Sequence, residues 1–176
     1  MLKPIRLFIG ITLLLFSAGS SFAANWRDDL PNSKLIGSGE LRWMMLHIYS
    51  AELYMEEPIF DPQKKFALVL TYHKSISRDR FVETSLDEIK RLKGPTVDTE
   101  TLKKWKGYME GAFADVKSGD QLIGVHLPNV GCRFYSKDKL LTEISDTAFA
   151  DAFFSIWFDP RSKDKDLRKK LTGASK

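Results

Sequence analysis

Apolar residues change their spacing along the chain, and this change limits the folds that the chain can adopt. Residues 34–55 and 66–72 have the alternating or continuous apolar patterns that are typical of β-strands. Residues 78–116 contain two stretches with apolar residues at helical spacing, and residues 121–144 return to strand patterns. Two further helical patterns follow Asp146. This order predicts an α+β fold with a large, mainly antiparallel sheet rather than an alternating β/α fold.

Residues 34–55 predict two extended segments, and the second of them, over residues 41–54, predicts a strand that is covered on both faces. Both sets of alternate residues between Leu41 and Tyr54 are largely apolar, as expected for a strand inside a sandwich of layers. One predicted face carries Leu41, Trp43, Met45, His47, Tyr49, Ala51 and Leu53. Gly37 and Gly39 precede this strand and indicate a bend or a close approach of another backbone.

The N-terminus has the three parts of an export signal. Lys3 and Arg6 provide the basic part, residues 7–16 form an apolar run, and residues 17–23 end in small side chains. The run is shorter than the roughly 20 apolar residues of a transmembrane helix, although an uncleaved N-terminal anchor is the alternative. We therefore expect a cleaved signal peptide over residues 1–23, a single domain over residues 24–176, and export across the inner membrane to the periplasm.

The charge balance argues against a nucleic-acid-binding protein. The chain has 27 Lys and Arg residues against 23 Asp and Glu residues, and its net charge is +4. A nucleic-acid-binding domain would carry a strong basic stripe. The late basic cluster consists of Arg161, Lys163, Lys165, Arg168, Lys169 and Lys170. Acidic residues alternate with it, so we interpret it mainly as a solvated helix end, with contact to a membrane surface or a protein partner as the alternative.

Cysteine and histidine usage predicts neither a disulfide nor a metal site. Cys132 is the only cysteine, and its apolar surroundings indicate a buried, unreactive thiol. His47, His73 and His126 lack the spacing of metal ligands. The chain also lacks the sequence motifs of phosphate and dinucleotide sites, so we expect no cofactor.

Polar side chains within apolar strands are the strongest candidates for a functional site. These residues are Arg42, His47, Tyr49, Tyr72 and His73. A polar group on a buried strand needs a partner, which is either an internal hydrogen bond or a ligand in a mostly apolar pocket. In the second case, Arg42 could hold a carboxylate, Tyr49 and Tyr72 could donate hydrogen bonds, and His47 could act as an acid or base.

Several segments of the chain, taken in order, resemble bacterial chalcone isomerase-like proteins. The opening strands of that family are similar to residues 37–43 and 47–54, and its middle is similar to residues 85–89. Its end is similar to residues 149–161 and 166–168. The resemblance implies a large antiparallel sheet with a layer of helices on one face, and a ligand cleft between the two layers.

The resemblance does not imply chalcone isomerase activity. Plant chalcone isomerases use a strand arginine, threonines, a tyrosine and an asparagine, and only Arg42 matches the arginine. Tyr49 and Ile156 stand near the positions of the threonines, and Phe81 stands near that of the tyrosine. Non-catalytic relatives bind fatty acids through an arginine and a tyrosine, which Arg42 with Tyr49 or Tyr72 would resemble.

We therefore predict an exported, non-catalytic protein that binds a small apolar or carboxylate-bearing ligand such as a fatty acid. Arg42, His47, Tyr49 and Tyr72 are the predicted ligand-binding residues. One alternative is an intramolecular lyase or isomerase that acts on an unsaturated carbonyl compound, with His47 or Tyr49 as proton carrier. The other is an interaction module that binds a protein or a membrane surface through the basic C-terminal helix.

Overall fold

The structure is a computed structural model that describes residues 25–137 and 139–174. The predicted signal peptide lies outside the described residues. Six strands form one sheet in which every pair of neighbours is antiparallel and the order follows the chain. The strands are β1 (Lys34–Trp43), β2 (Leu46–Met55), β3 (Phe66–Tyr72), β4 (Gln121–Leu127), β5 (Gly131–Ser136) and β6 (Lys139–Ile144).

Four α-helices pack against one face of this sheet, which we call the inner face. They are α1 (Arg78–Lys93), α2 (Thr99–Ala112), α3 (Thr147–Phe158) and α4 (Lys165–Leu171). The side chains of Ser77, Asp98 and Asp146 cap the first three helices by accepting a backbone N–H from the first turn. The predicted α+β fold, with an antiparallel sheet and a helical layer, is confirmed. Among the described residues, no helix combines the length and the apolarity needed to cross a bilayer.

The main core lies between the inner face and the helices, and aromatic rings fill much of it. Phe134 on β5 meets Phe113, Phe149 and Phe153 edge to face, with ring centroids 5.0–6.4 Å apart. The chain has one cysteine and therefore forms no disulfide within itself. Burial of such rings supplies most of the stabilisation of the fold.

A second, smaller core covers the middle of the opposite, outer face. Trp26 and Leu30 from the N-terminal segment pack over strand residues that include Val69 and Val125. Asp29 holds this segment in place, because it accepts a hydrogen bond of 2.6 Å from the Tyr135 hydroxyl and pairs with Arg133. The outer face is therefore covered at its centre.

The predicted second segment, a strand over residues 41–54, is wrong, because the chain reverses direction at Met44 and Met45. Trp43 pairs with Leu46 across this two-residue turn. Both turn residues have positive φ angles, 46° and 67°, which glycine and asparagine adopt far more readily. The prediction of cover on both faces also fails here, because Met45 is 93% exposed.

A β-bulge next to the turn changes the face on which His47 lies. Leu41 pairs with Tyr49, whereas Arg42 pairs with His47, so that Ile48 is an extra residue on β2. The extra residue breaks the alternation of side chains. His47 therefore lies on the outer face, and Tyr49 lies on the inner face, although simple alternation placed both on one face.

Candidate functional site

Two of the predicted site residues, Tyr49 and Tyr72, lie side by side on the inner face. They are partners in the register of β2 and β3, and their rings meet edge to face at 5.9 Å. The Tyr49 hydroxyl accepts a hydrogen bond of 3.0 Å from Nε1 of Trp157 on α3. Tyr72 is 1% exposed, and its hydroxyl has no hydrogen-bond partner among the described residues.

Burial determines the chemistry of this tyrosine pair. Desolvation raises the pKa of both Tyr49 and Tyr72 well above the ordinary value for tyrosine, since a phenolate would lose its hydration there. Both hydroxyls therefore remain neutral at neutral pH. In that state they serve as hydrogen-bond donors and do not act as general bases.

A cavity of about 360 Å³ lies near the tyrosine pair, beside Phe81 at the beginning of α1. Its apolar lining includes Phe81, Phe113, Val116, Leu122 and Leu141, and its polar residues are Asp115, Asp120, Gln121, Ser136 and Lys137. The Phe81 ring lies 6.2 Å from the Tyr72 ring on one side and 4.7 Å from the Phe113 ring on the other. Phe81 therefore connects the cavity with the tyrosine pair.

The other two predicted site residues, Arg42 and His47, belong to a polar cluster on the outer face. Arg42 is 58% exposed and forms an ion pair of 2.8 Å with Glu40. His47 Nε2 lies 3.7 Å from a Glu40 carboxylate oxygen. The His47 ring stacks on His73 at 3.9 Å, and the Ser50 hydroxyl is within 2.9 Å of His73 Nε2.

The structure thus separates the predicted site residues into two pairs on opposite faces of the sheet. Glu40 pairs with Ser50, and Leu41 pairs with Tyr49, so that neighbouring residues of each strand point in opposite directions. Tyr49 and Tyr72 face the helices, whereas Arg42 and His47 face away from them.

Residues 18–173 match a family model described as chalcone isomerase-like. The chain belongs to the chalcone isomerase-like family. This confirms the resemblance that the segments of the sequence indicated. A comparison with curated protein sequences found no match.

The chalcone isomerase-like fold is also seen in a structural neighbour. The structure is similar to the crystal structure of a fatty-acid binding protein from Arabidopsis thaliana, with a TM-score of 0.61. The two proteins share 10% sequence identity, and the alignment covers 82% of this chain and 88% of the other. At this identity, the similarity shows the fold alone.

Sequence reasoning missed the residues that form the cavity of this chalcone isomerase-like domain. Gln121 and Lys137 approach Phe81 only in the tertiary structure, and no local pattern relates them. The sequence did not identify Trp157, which is buried in the core, as a partner of Tyr49. The indole N–H of Trp157 was the one sequence signal for such a contact, because a buried tryptophan usually donates this group to a hydrogen-bond acceptor.

Cys132 and the basic C-terminal cluster, which the sequence also singled out in this chalcone isomerase-like chain, have structural explanations. Cys132 is fully buried, as predicted, and burial raises the pKa of its thiol to about 12. In the basic C-terminal cluster, Arg161 pairs with Asp159 and Lys163 pairs with Glu88. Among residues 25–137 and 139–174, no group of three or more metal-ligating side chains could hold an ion.

Proposed function

We propose that this protein is exported and that it binds, without catalysis, a small apolar ligand with an oxygen-bearing head, such as a fatty acid. The ligand occupies the cleft between the sheet and the helices. The observation that carries the proposal is the Tyr72 hydroxyl, which is buried and has no partner within residues 25–137 and 139–174. The Phe81 ring, which packs against the Tyr72 ring, lines a cavity.

The Tyr72 hydroxyl favours a ligand oxygen at this position. A buried polar group without a hydrogen bond costs about 1–3 kcal/mol, and an accepting oxygen would remove that cost. The Tyr49 hydroxyl accepts from Trp157 and keeps its own proton to donate. The two tyrosines together therefore present two O–H donors to one carboxylate or carbonyl group.

The cavity beside Phe81 provides space for the apolar part of the ligand. Its volume of about 360 Å³ lies within the range of small-molecule sites, roughly 300–1,000 Å³. Phe81 lines the cavity and packs against Tyr72, and we propose that its ring rotates to admit the ligand head to the hydroxyl pair. Phe113 and Leu122 line the cavity as well and would contact the apolar part of the ligand.

The chemistry of the cleft supports binding without turnover. The raised pKa values of Tyr49 and Tyr72 keep both groups protonated, and His47 lies on the other face of the sheet. The similarity in fold to the Arabidopsis fatty-acid binding protein supports the choice of ligand class.

Fatty-acid titration tests the binding proposal. The protein is delipidated and titrated with palmitate in a calorimeter, as wild type, as Tyr72→Phe and as Arg42→Ala. We expect Tyr72→Phe to weaken binding by about tenfold, which corresponds to one lost hydrogen bond to a charged group. We expect Arg42→Ala to bind like the wild type, since Arg42 lies on the other face.

Two results would contradict this site. Equal affinities of Tyr72→Phe and wild type would exclude the hydroxyl as the anchor. Loss of binding in Arg42→Ala alone would instead place the carboxylate at the outer-face cluster. Export is tested separately by fractionating the expressing bacterium, where we expect a periplasmic product that begins near Ala24 and a signal peptide that ends at residue 23.

A further inference from the structure

The turn between β1 and β2 carries four consecutive apolar side chains that point into solvent. We call Trp43, Met44, Met45 and Leu46 the hairpin tip. Their exposed fractions are 64%, 75%, 93% and 47%. Single exposed apolar residues are common on protein surfaces, but a contiguous apolar patch usually marks an interaction site.

The backbone of the hairpin tip supports a functional origin. Met44 and Met45 both have positive φ angles, and a two-residue hairpin turn of this kind favours Asn-Gly. Each non-glycine residue in this region is disfavoured by sterics. The chain therefore places two strongly exposed apolar side chains at positions that both backbone sterics and solvent disfavour. This indicates that the two residues serve contact with a partner rather than folding.

We propose that the hairpin tip inserts into the headgroup region of a phospholipid bilayer. The tip is a convex, tight turn of four residues, whereas each side of a stable protein interface contributes roughly 20 residues. A bilayer can take up a few protruding side chains without a complementary surface. Trp43 stands at the base of the turn, and tryptophan is enriched at the interface between lipid and water.

Charges around the hairpin tip indicate that insertion depends on apolar contact. Arg42 is paired with Glu40. Asp164 and Asp166 line a surface depression next to Arg42, together with Lys170. This end of the sheet therefore has no excess of positive charge among these residues. We expect binding to neutral phosphatidylcholine, with little dependence on salt or on anionic lipid.

Tryptophan fluorescence reports on the hairpin tip specifically. The chain has four tryptophans, and Trp43 is the exposed one, because Trp26, Trp105 and Trp157 are at most 7% exposed. The full-length protein is mixed with phosphatidylcholine vesicles that contain brominated acyl chains. We expect a blue shift and quenching of the emission. In Trp43→Phe, we expect both signals to be lost.

A turn variant separates membrane contact from folding. Met44→Asn combined with Met45→Gly removes the apolar apex and installs the residues that the turn favours. We expect this variant to melt at a higher temperature and to partition at least tenfold more weakly into the vesicles. Ile59→Ser is the matched control, because Ile59 is 77% exposed but lies in the loop after β2, and its partitioning should equal that of the wild type.

Three outcomes would overturn the proposal. The turn variant could partition like the wild type. Binding could require anionic lipid and disappear in 0.5 M salt, which would assign the contact to the basic C-terminal cluster. The tip could instead mediate self-association, seen as a dimer in the wild type and a monomer in the turn variant, with no quenching by lipid. Tyr72→Phe should partition normally, so that failure of the ligand proposal is distinguishable.

Discussion

The Tyr49 hydroxyl accepts a hydrogen bond from Trp157 Nε1, and this contact joins the second strand to the third helix across the main core. Its neighbour Tyr72 lies 5.9 Å away, ring to ring, and has a hydroxyl without a partner among the described residues. Tyr49 and Tyr72 are partners in the register of the sheet, but their hydroxyls contribute differently to the free energy of folding. The Tyr49 hydroxyl stabilises the fold, and the Tyr72 hydroxyl is the group that we propose binds a ligand.

Removal of the two hydroxyls should have different effects on the free energy of unfolding. Tyr49→Phe leaves the buried indole N–H of Trp157 without an acceptor, and we expect a loss of about 1–3 kcal/mol. Tyr72→Phe removes a group that makes no hydrogen bond, so we expect no loss. Urea unfolding of the ligand-free protein measures both. Equal destabilisation by the two variants would contradict this assignment.

Gly37 should not tolerate a methyl group. A Cβ atom at Gly37 would overlap the backbone carbonyl groups of Lys170 and Leu171, so that α4 would have to shift from its position on β1. We expect Gly37→Ala to lower the free energy of unfolding by about 2–3 kcal/mol.

The matched control for Gly37 is Gly107 in α2, where an added Cβ meets nothing within 4 Å. Gly107→Ala should raise the free energy of unfolding by up to about 1 kcal/mol, because alanine has the higher helix propensity. Both values come from denaturant titrations. A neutral effect of Gly37→Ala would show that α4 is not packed closely on β1.

Asp159 should make stability depend on pH in the acid range. Hydrogen bonds from the Arg161 side chain lower the pKa of this carboxyl from its ordinary value of 3.8 to about 2. A folded-state pKa below the unfolded value stabilises the protein above pH 3.8, and this contribution is lost as the pH falls through about 2. We expect Asp159→Asn to cost about 1–2 kcal/mol at pH 7 and progressively less below pH 4.

The control for Asp159 is Asp79→Asn, which removes an exposed pair with Arg78. Exposed pairs contribute little, so we expect a change below about 0.5 kcal/mol at every pH. Urea unfolding at pH 7, 4 and 3 provides the comparison. A stability difference between wild type and Asp159→Asn that stays constant across this range would contradict the lowered pKa.

Cys132 should be unreactive in the native protein. Its side chain is fully buried, and its pKa of about 12 leaves almost no thiolate at pH 8. We expect iodoacetamide to modify Cys132 only in denaturant, as seen by mass spectrometry of the intact protein. Rapid modification under native conditions would show that β5 opens locally.

Local chemistry explains which elements were predictable. The capping residues Ser77, Asp98 and Asp146 mark the starts of three helices, because a cap depends only on a few adjacent residues. The turn at Met44 and Met45 was missed, because it lacks the Gly, Asn or Asp residues that identify hairpin turns. Its cause lies outside the local sequence, and membrane contact is the cause that we propose.

The candidate site was only partly predictable for a similar reason. Tyr49 and Tyr72 were named from their apolar surroundings, and the structure brings them together. Arg42 and His47 were named in the same way, but they lie on the outer face. Whether any of the four binds a ligand stays a prediction, and the palmitate titration distinguishes the two pairs.

The sequence by itself determined the order of the strand and helix regions and the family, but not the hairpin turn within residues 34–55. Each of these predictable features depends on residues that are close in the chain or on their order. The tertiary structure alone decided which face of the sheet each polar side chain occupies. For His47, the physical reason is the extra residue at Ile48, because one unpaired residue in a strand breaks the alternation of side chains on either side of it. Strand pairing, which is a non-local property, sets the position of that residue.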